Sequence, residues 1–180
     1  IYVEPEDIEM SLLSNFPNAS MEFKHVTALE ALSKSTDTLF HATFLSFQFD
    51  LMNLFSKNYR IESLEVSDLE INIRLLSDGG DNYHFWKEDT GATNSAVQFG
   101  LEELNISNMQ LSYKDLASDE SHSFKISEAQ LEVQAGEKEY LIEGVIDGNV
   151  EYLSERGDVL IKEFGFHADL SSSITGDEVN

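Results

Sequence analysis

The sequence predicts a mainly β fold of the α+β class: a curved, antiparallel meander sheet of repeated strand units with one or two short helices. Apolar residues alternate with Ser, Glu, Asp and Asn over most of the chain, which is the period of a half-buried strand. Twelve Phe, six Tyr and only two Pro in 180 residues also favour a sheet. A disordered acidic chain would lack these aromatic side chains.

The charge of the chain argues against several classes of partner. With 34 acidic and 11 basic side chains, the formal net charge is -23. Nucleic-acid binding needs clustered Lys and Arg to displace counterions from phosphates, so we expect no nucleic-acid partner. No apolar run reaches the roughly 18 residues of a membrane-spanning helix. Because the chain has no Cys, disulfides, thiolate metal sites and cysteine nucleophiles are excluded.

The first 58 residues combine predicted helices with predicted strands. Glu6–Asn15 carries apolar residues at helical spacing, with acidic residues in its first turn, and predicts a helix. Two weaker copies of the strand pattern follow at Met21–Ala28 and Phe40–Phe49. Asp50 is then placed to cap a second, short helix.

The strand pattern is clearest around Ser67-Asp68, where the alternation changes phase at two adjacent polar residues. Successive strand side chains point to opposite faces, so this change predicts a β-bulge, a bend or a short turn. The same pattern returns 40 residues later around Ser107-Asn108, and 20 residues after that around Ser127-Glu128. We interpret the three copies as equivalent strands of one sheet with a continuous apolar face.

Turn residues separate these units and predict further strands downstream. The predicted turns lie at residues 77–82, 115–121 and 135–137. The later strands are predicted at Tyr140–Ile146, Val150–Leu153, Val159–Phe166 and Ala168–Ile174, with turns at 147–149 and 156–158.

The sequence shows no residue pattern typical of an enzyme or a metal site. It has no pair of His at i, i+4, no nucleophile elbow, no phosphate-binding loop and no dinucleotide fingerprint. The Asp and Asn side chains of residues 78–82 lack the ligand spacing of a calcium loop. We therefore predict a non-enzymatic protein without metal or cofactor.

Several segments occur in an order that is typical of a known family. Residues 8–86 resemble the amino-terminal region of the AsmA-like proteins of Gram-negative bacteria, especially those of Bacteroidetes. The segments that carry the resemblance are Asn15–Ser20, Asp37–Ala42, Phe49–Phe55, Tyr59–Leu64 and Asp78–Tyr83, followed by Leu104–Asp115. Each segment is weakly specific alone, and the resemblance extends over nearly the whole chain.

The resemblance implies a role in outer-membrane biogenesis, since the longer family members resemble bridge-like lipid carriers whose curved sheets form an apolar trough for phospholipid tails. It implies a periplasmic location, an inner-membrane anchor in the full-length protein, and other envelope proteins as partners. The family's preceding membrane helix is not in this sequence, and Asp78–Tyr83 carries an additional Gly-Asp. We therefore interpret residues 1–180 as a single β-rich fragment of a larger envelope protein, with a helix and strand region at about 1–58 and repeated strands at about 59–180.

The alternation does not label which side of each strand would face a groove. We take as lipid-groove candidates the longer apolar set of each copy: Leu69, Ile71, Ile73, Met109, Leu111, Tyr113, Leu131 and Val133. The same residues would also suit an ordinary core covered by the helices. Our preferred hypothesis is a module that holds or conducts phospholipid or another lipid. The alternatives are a periplasmic protein-binding or scaffold domain that acts through its sheet edges, and a hydrolase whose active site forms only in the tertiary structure.

Overall fold

The computed structural model describes residues 1–15, 17–32, 35–55, 60–84, 100–135 and 139–175. It confirms the mainly β fold: eight strands form one open sheet in chain order, β1 to β8. The strands are β1 (Ile8–Asn15), β2 (Asn18–Leu29), β3 (Thr38–Asp50), β4 (Arg60–Leu75), β5 (Gly100–Asp115), β6 (Glu120–Ala135), β7 (Glu139–Glu155) and β8 (Asp158–Thr175). The described helices are a 3-10 turn at Pro5–Asp7 and α1 (Leu51–Phe55).

Antiparallel pairing joins all neighbouring strands except β4 and β5, which are parallel. Residues 76–99 separate these two strands, more than the dozen or so residues that a parallel connection needs. Ser67 lies opposite Ser107 in this pair, so the register matches the 40-residue repeat of the sequence. The antiparallel meander is therefore interrupted once, and the first two copies of the repeat lie side by side.

The helix predicted over Glu6–Asn15 is wrong. After the 3-10 turn the chain enters β1, where Ile8 lies opposite Phe23 and Met10 opposite Met21. Apolar residues four apart occupy one side of a strand as well as one side of a helix. Pairing with β2 satisfies the backbone of this segment, and that tertiary contact decides between the two structures. The second predicted helix is confirmed as α1, where Asp50 Oδ1 accepts a hydrogen bond from the Met52 backbone N at 2.6 Å.

The predicted short strands at the carboxyl end merge into two long ones. β7 runs through residues 147–149 without a turn, so the turn predicted there is wrong. Gly148 instead permits close approach of two strands, because a Cβ on it would lie 2.5 Å from the Lys125 carbonyl oxygen. The hairpin turn at 156–158 is confirmed, with φ of 51° at Arg156 and 78° at Gly157, as in a type I′ turn.

The remaining predicted turns are found between strands where they are described. Asp115 ends β5, and its Oδ1 accepts backbone hydrogen bonds from Ala117 (2.8 Å) and Ser118 (3.2 Å) before β6 begins at Glu120. Residues 136–138 of the turn between β6 and β7 lie outside the described residues.

The turn that follows β4 is fixed by the buried side chain of Asn82. Its Nδ2 donates to Glu30 Oε1 and to the Asn72 carbonyl oxygen, both at 2.8 Å. Its Oδ1 accepts from the Arg74 backbone N at 2.8 Å, and its carbonyl oxygen accepts from the Ala31 N at 2.8 Å. Asn82 thus joins the ends of β2 and β4.

None of the helices in the described ranges is long and apolar enough to cross a bilayer.

Candidate functional site

Two of the three predicted phase changes are built as left-handed residues inside continuous strands. Asp68 in β4 has φ of 51° and Asn108 in β5 has φ of 56°. In β6, the register with β7 shifts between Ile126 and Glu128. Asn and Asp adopt positive φ more readily than most residues, which suits the first two sites.

These irregularities bring the apolar residues on either side of them onto one face. Ile146 and Gly148 are two apart in β7 and therefore lie on the same side of the sheet. Ala129 lies opposite Ile146, and Ile126 lies opposite Gly148. Ala129 and Ile126 consequently share a face although they are three residues apart. Pairing extends this relation through β5 and β4.

The result is a surface of apolar rows that cross the sheet, which we call the apolar face. Its four main rows, each given in strand order, are Met21, Phe47, Leu64, Leu104, Leu131, Gly144 and Leu170; Phe23, Leu45, Val66, Ile106, Ala129, Ile146 and Ala168; Val26, Ala42, Leu69, Met109, Ile126, Gly148 and Phe166; and Ala28, Phe40, Ile71, Leu111, Phe124, Val150 and Phe164. Side-chain geometry agrees with these rows, because the rings of Phe23 and Phe47 meet edge to face at 5.8 Å.

Most large side chains of the apolar face are only half-buried. The buried hydrophobic residues are small or medium in size: Ala19, Val26, Ala28, Leu39, Ala42, Val66, Ile126, Ala129 and Val150. Phe, Leu and Met side chains of the same rows keep part of their surface accessible. In a two-layered domain these large side chains would be the most buried, so their exposure is that of a single layer.

The described helices are too small to cover this face. The five-residue α1 contacts β3, and the 3-10 turn contacts β2. All other substantial contacts between elements join neighbouring strands of the sheet. Within the described ranges, the predicted alternative of a core covered by helices is therefore not found.

Six of the eight lipid-groove candidates form three directly opposed pairs across β4 and β5. Leu69 lies opposite Met109, Ile71 opposite Leu111, and Ile73 opposite Tyr113, and all six are half-buried. The other two lie further toward the opposite end of the sheet. Leu131 pairs with Leu104, and Val133 pairs with Ile142.

The last two candidates are displaced because β6 runs antiparallel to β5. The second half of the third copy therefore lies beside the first half of the second copy. Phe124 and Ile126 take the places beside Leu111 and Met109 that the repeat assigned to Leu131 and its neighbours. The predicted groove candidates also leave out the apolar residues that precede each polar pair. The phase change of the pattern was the signal that could have identified them.

The opposite face of the sheet is polar and acidic, with Glu22, Glu65, Glu103, Glu132 and Glu143 among its residues. Hydrogen bonds between strands run along it: Ser107 Oγ donates to Ser67 Oγ at 2.8 Å, and Asn108 donates to Asp68. A hollow of about 670 Å³ is lined by Gln48, Ser63, Glu103 and Glu132 of this face, and by Glu62 and Glu102.

Charged strand residues lie on both faces of the sheet. The strand residues Lys24, Arg74, Lys114, Lys125 and Lys162, whose side chains are described, all alternate onto the polar face. Carboxylates occupy the ends of the apolar face: Glu62 and Glu102 beyond Leu64 and Leu104, and Asp115 and Glu120 beyond Tyr113 and His122. Burial raises the pKa of Glu62, and the nearby Asp50 and Glu102 raise it further.

Histidines of the described segments act in separate, local contacts. His41 Nδ1 lies 2.9 Å from Thr27 Oγ1, and the ring of His122 stacks on Tyr113 at 5.5 Å. A hydrogen bond to Asp147 raises the pKa of His167. In the part of the chain that the structure describes, no three His, Asp or Glu side chains are grouped to hold a metal ion.

Comparison with known proteins leaves the site to be interpreted from its geometry. No family model matches the chain. No curated protein matches it either.

Proposed function

We propose that this chain holds or conducts phospholipid on the apolar face of its sheet, as a non-enzymatic module of envelope assembly. The observation that carries the proposal is the continuity of apolar rows across seven strands without a described layer over them. Exposed apolar surface of this extent marks an interaction site for an apolar ligand or partner. The resemblance of the sequence to AsmA-like proteins supports a role in outer-membrane biogenesis on the periplasmic side of the envelope.

The dimensions of the face suit acyl chains. Six spacings of about 4.8 Å between the seven strands that carry the apolar rows give a width of about 29 Å. The hydrocarbon core of a bilayer is about 30 Å thick, so one leaflet contributes about 15 Å. An extended acyl chain can therefore lie fully on the face. The acidic opposite face keeps the molecule hydrated while the apolar face is occupied.

Native mass spectrometry and solvent extraction of the purified protein test this proposal. We expect phospholipid to co-purify with the wild type and to be lost from Leu111→Asp and Ile71→Asp, because each change places a charge in the middle of the apolar face. Gln110→Asp is the matched control, since Gln110 is the neighbour of Leu111 on the polar face. This variant should retain its lipid.

Circular dichroism must show that every variant is folded. A folded wild type without lipid, both as purified and after incubation with phospholipid vesicles, would contradict the proposal. Equal lipid loss in Gln110→Asp and Leu111→Asp would contradict the assignment of lipid to the apolar face.

A periplasmic protein-binding or scaffold domain is the alternative, and the edge strand β8 favours it. Its Val159, Leu160 and Phe164 are 63%, 61% and 58% exposed. A long edge strand with exposed apolar residues can pair with a strand of another protein. Association through β8 in a protein free of lipid would support this alternative over the first proposal.

A further inference from the structure

The outer edge of β8 retains the features that allow a strand to pair with another strand. β8 is the last strand of the described sheet and pairs there with β7. Edge strands are usually short or interrupted by Pro, because their unpaired N–H and C=O groups can bind a further strand. β8 has 18 residues, contains no Pro, and exposes 58% of Phe164. Its side away from β7 is therefore suited to pairing.

The two sides of β8 carry different kinds of residue. Four alternate residues belong to the apolar face: Phe164, Phe166, Ala168 and Leu170. His167 and Asp169 lie between them and point to the polar side, where Lys162 also lies. Glu163 has φ of 54°, the left-handed conformation that Asp68 has in β4, and marks a bulge between Lys162 and Phe164.

We propose that β8 pairs in antiparallel orientation with β8 of a second copy of this chain, about a twofold axis at Phe166. Phe166 then lies opposite Phe166 of the second copy. Phe164 lies opposite Ala168 of the second copy, so a large exposed ring meets a small side chain. The left-handed residue of a bulge shares one opposing residue with the residue that follows it, so Lys162 comes to lie opposite Asp169.

Other registers lack this complementarity. An axis between two residues would set apolar side chains opposite polar ones, because successive residues point to opposite faces. An axis at Gly165 would set His167 opposite Lys162, and an axis at His167 would set the two His167 rings opposite each other. The axis at Phe166 instead forms the pair of Lys162 with Asp169 twice. The side chain of Asp169 is 87% exposed and accessible to this pair.

The proposed pairing also extends the sheet. Pairing over residues 161–170 adds about ten backbone hydrogen bonds, since every second residue pair of an antiparallel ladder exchanges two. The apolar rows of the two copies join at the axis, so the dimer is compatible with lipid on the apolar face and does not depend on it. The net charge of -23 on each copy opposes association, and salt screens this repulsion.

Sedimentation velocity at a series of protein concentrations in about 0.15 M salt tests the proposal. We expect the wild type to reach twice the 20.3 kDa mass of one chain. Lys162→Asp should raise the dissociation constant of the dimer about tenfold, because it sets two pairs of carboxylates opposite each other. Adding Asp169→Lys restores opposite charges and the net charge of -23, and should return the dissociation constant to within about twofold of wild type.

Lys114→Asp is the matched control, because it makes the same change in net charge on the polar face of β5 inside the sheet. We expect its dissociation constant to stay within about twofold of wild type. Circular dichroism must show that every variant is folded.

Single cysteine variants test the register, since the chain has no Cys of its own. Phe166→Cys sets two thiols opposite each other at the axis, within disulfide distance, and should give a disulfide-linked dimer on mild oxidation. Ala168→Cys keeps each thiol about 13 Å along the strand from its copy, and should not.

A folded wild type that stays monomeric at every concentration would overturn the proposal and would leave β8 to a strand of another protein. Equal effects of Lys162→Asp and Lys114→Asp, or equal crosslinking of Phe166→Cys and Ala168→Cys, would overturn the pairing about Phe166. Lipid extracted from the same preparations tests the proposed function separately, because either result for lipid can accompany either result for the dimer.

Discussion

Glu30 shows how a single buried carboxylate can secure the margin of the sheet. Its side chain is 1% exposed and lies against Arg74, Asn82 and Ser35. Burial by itself raises the pKa of Glu30, but the hydrogen bonds from these three residues outweigh it and hold the pKa below its usual value. The folded state therefore favours the ionised carboxylate.

The lowered pKa makes the contribution of Glu30 dependent on pH. A carboxylate whose pKa is lower in the folded state stabilises the protein above its unfolded pKa, and this stability is lost as the pH falls through the folded value. We expect Glu30→Gln to lower the free energy of unfolding by about 1–2 kcal/mol at pH 7. The difference from wild type should shrink as the pH falls below 4.5, the usual pKa of a glutamate side chain. Urea unfolding at a series of pH values measures it.

Glu9→Gln is the matched control for this prediction. Glu9 pairs with Lys24 in the open, where the two side chains are 58% and 41% exposed. Exposed pairs contribute little, so this variant should stay within about 0.5 kcal/mol of wild type at every pH. A difference for Glu30→Gln that grows as the pH falls would show that the sign assigned to its pKa shift is wrong.

At the scale of the strand, the left-handed residues maintain the continuity of the apolar face. Asn108 has φ of 56° within β5, a conformation that a β-branched residue strongly disfavours. We expect Asn108→Val to lower the free energy of unfolding by about 1–2 kcal/mol relative to Asn108→Gly. Gln110→Val, on the same strand without positive φ, is the control. Equal stability of the Asn108→Val and Asn108→Gly variants in urea unfolding would show that the bulge does not need positive φ.

Except at β1, where a helix was predicted, the alternation of the sequence was sufficient to predict strands but not their direction. Parallel and antiparallel strands have the same period of two, so the parallel pairing of β4 and β5 left no signal in the pattern. The segment Asp147-Gly148-Asn149 resembled a turn because Asp, Gly and Asn are typical turn residues. Its Gly serves a close approach inside β7, which only the neighbouring strand reveals.

The candidate site was predictable in its residue types and less so in its arrangement. Six residues of β4 and β5 were grouped correctly as neighbours because the register of the two strands equals the repeat length. Leu131 and Val133 were misplaced relative to them because the chain reverses direction at β6. A phase change in the pattern does not tell whether the strand turns over or bulges. The structure shows a bulge, so the apolar face is larger than either half of the pattern alone implied.

At the scale of the whole molecule, the described residues form one layer of sheet, which has to supply the stability that two layers normally share. Among these residues, the apolar side chains are half-buried by their neighbours within the sheet rather than by a facing layer. The polar face is hydrated on the other side. Folding therefore removes less apolar surface from water per residue than it does in a two-layered domain of equal length.

This difference should appear in the heat capacity change of unfolding. Apolar surface exposed on unfolding raises the heat capacity and polar surface lowers it, and a compact chain of 180 residues gives about 2.2–2.7 kcal/mol/K. We expect a value clearly below about 2 kcal/mol/K from scanning calorimetry at several pH values, after checking that unfolding is two-state.

Native protein freed of lipid should also bind an apolar fluorescent dye, and Leu111→Asp should bind less of it, because the dye would occupy the same rows as the lipid. A heat capacity change within the range for compact proteins, together with no dye binding, would mean that another part of the chain covers the apolar face. Its residues would then form a core rather than a lipid-binding surface.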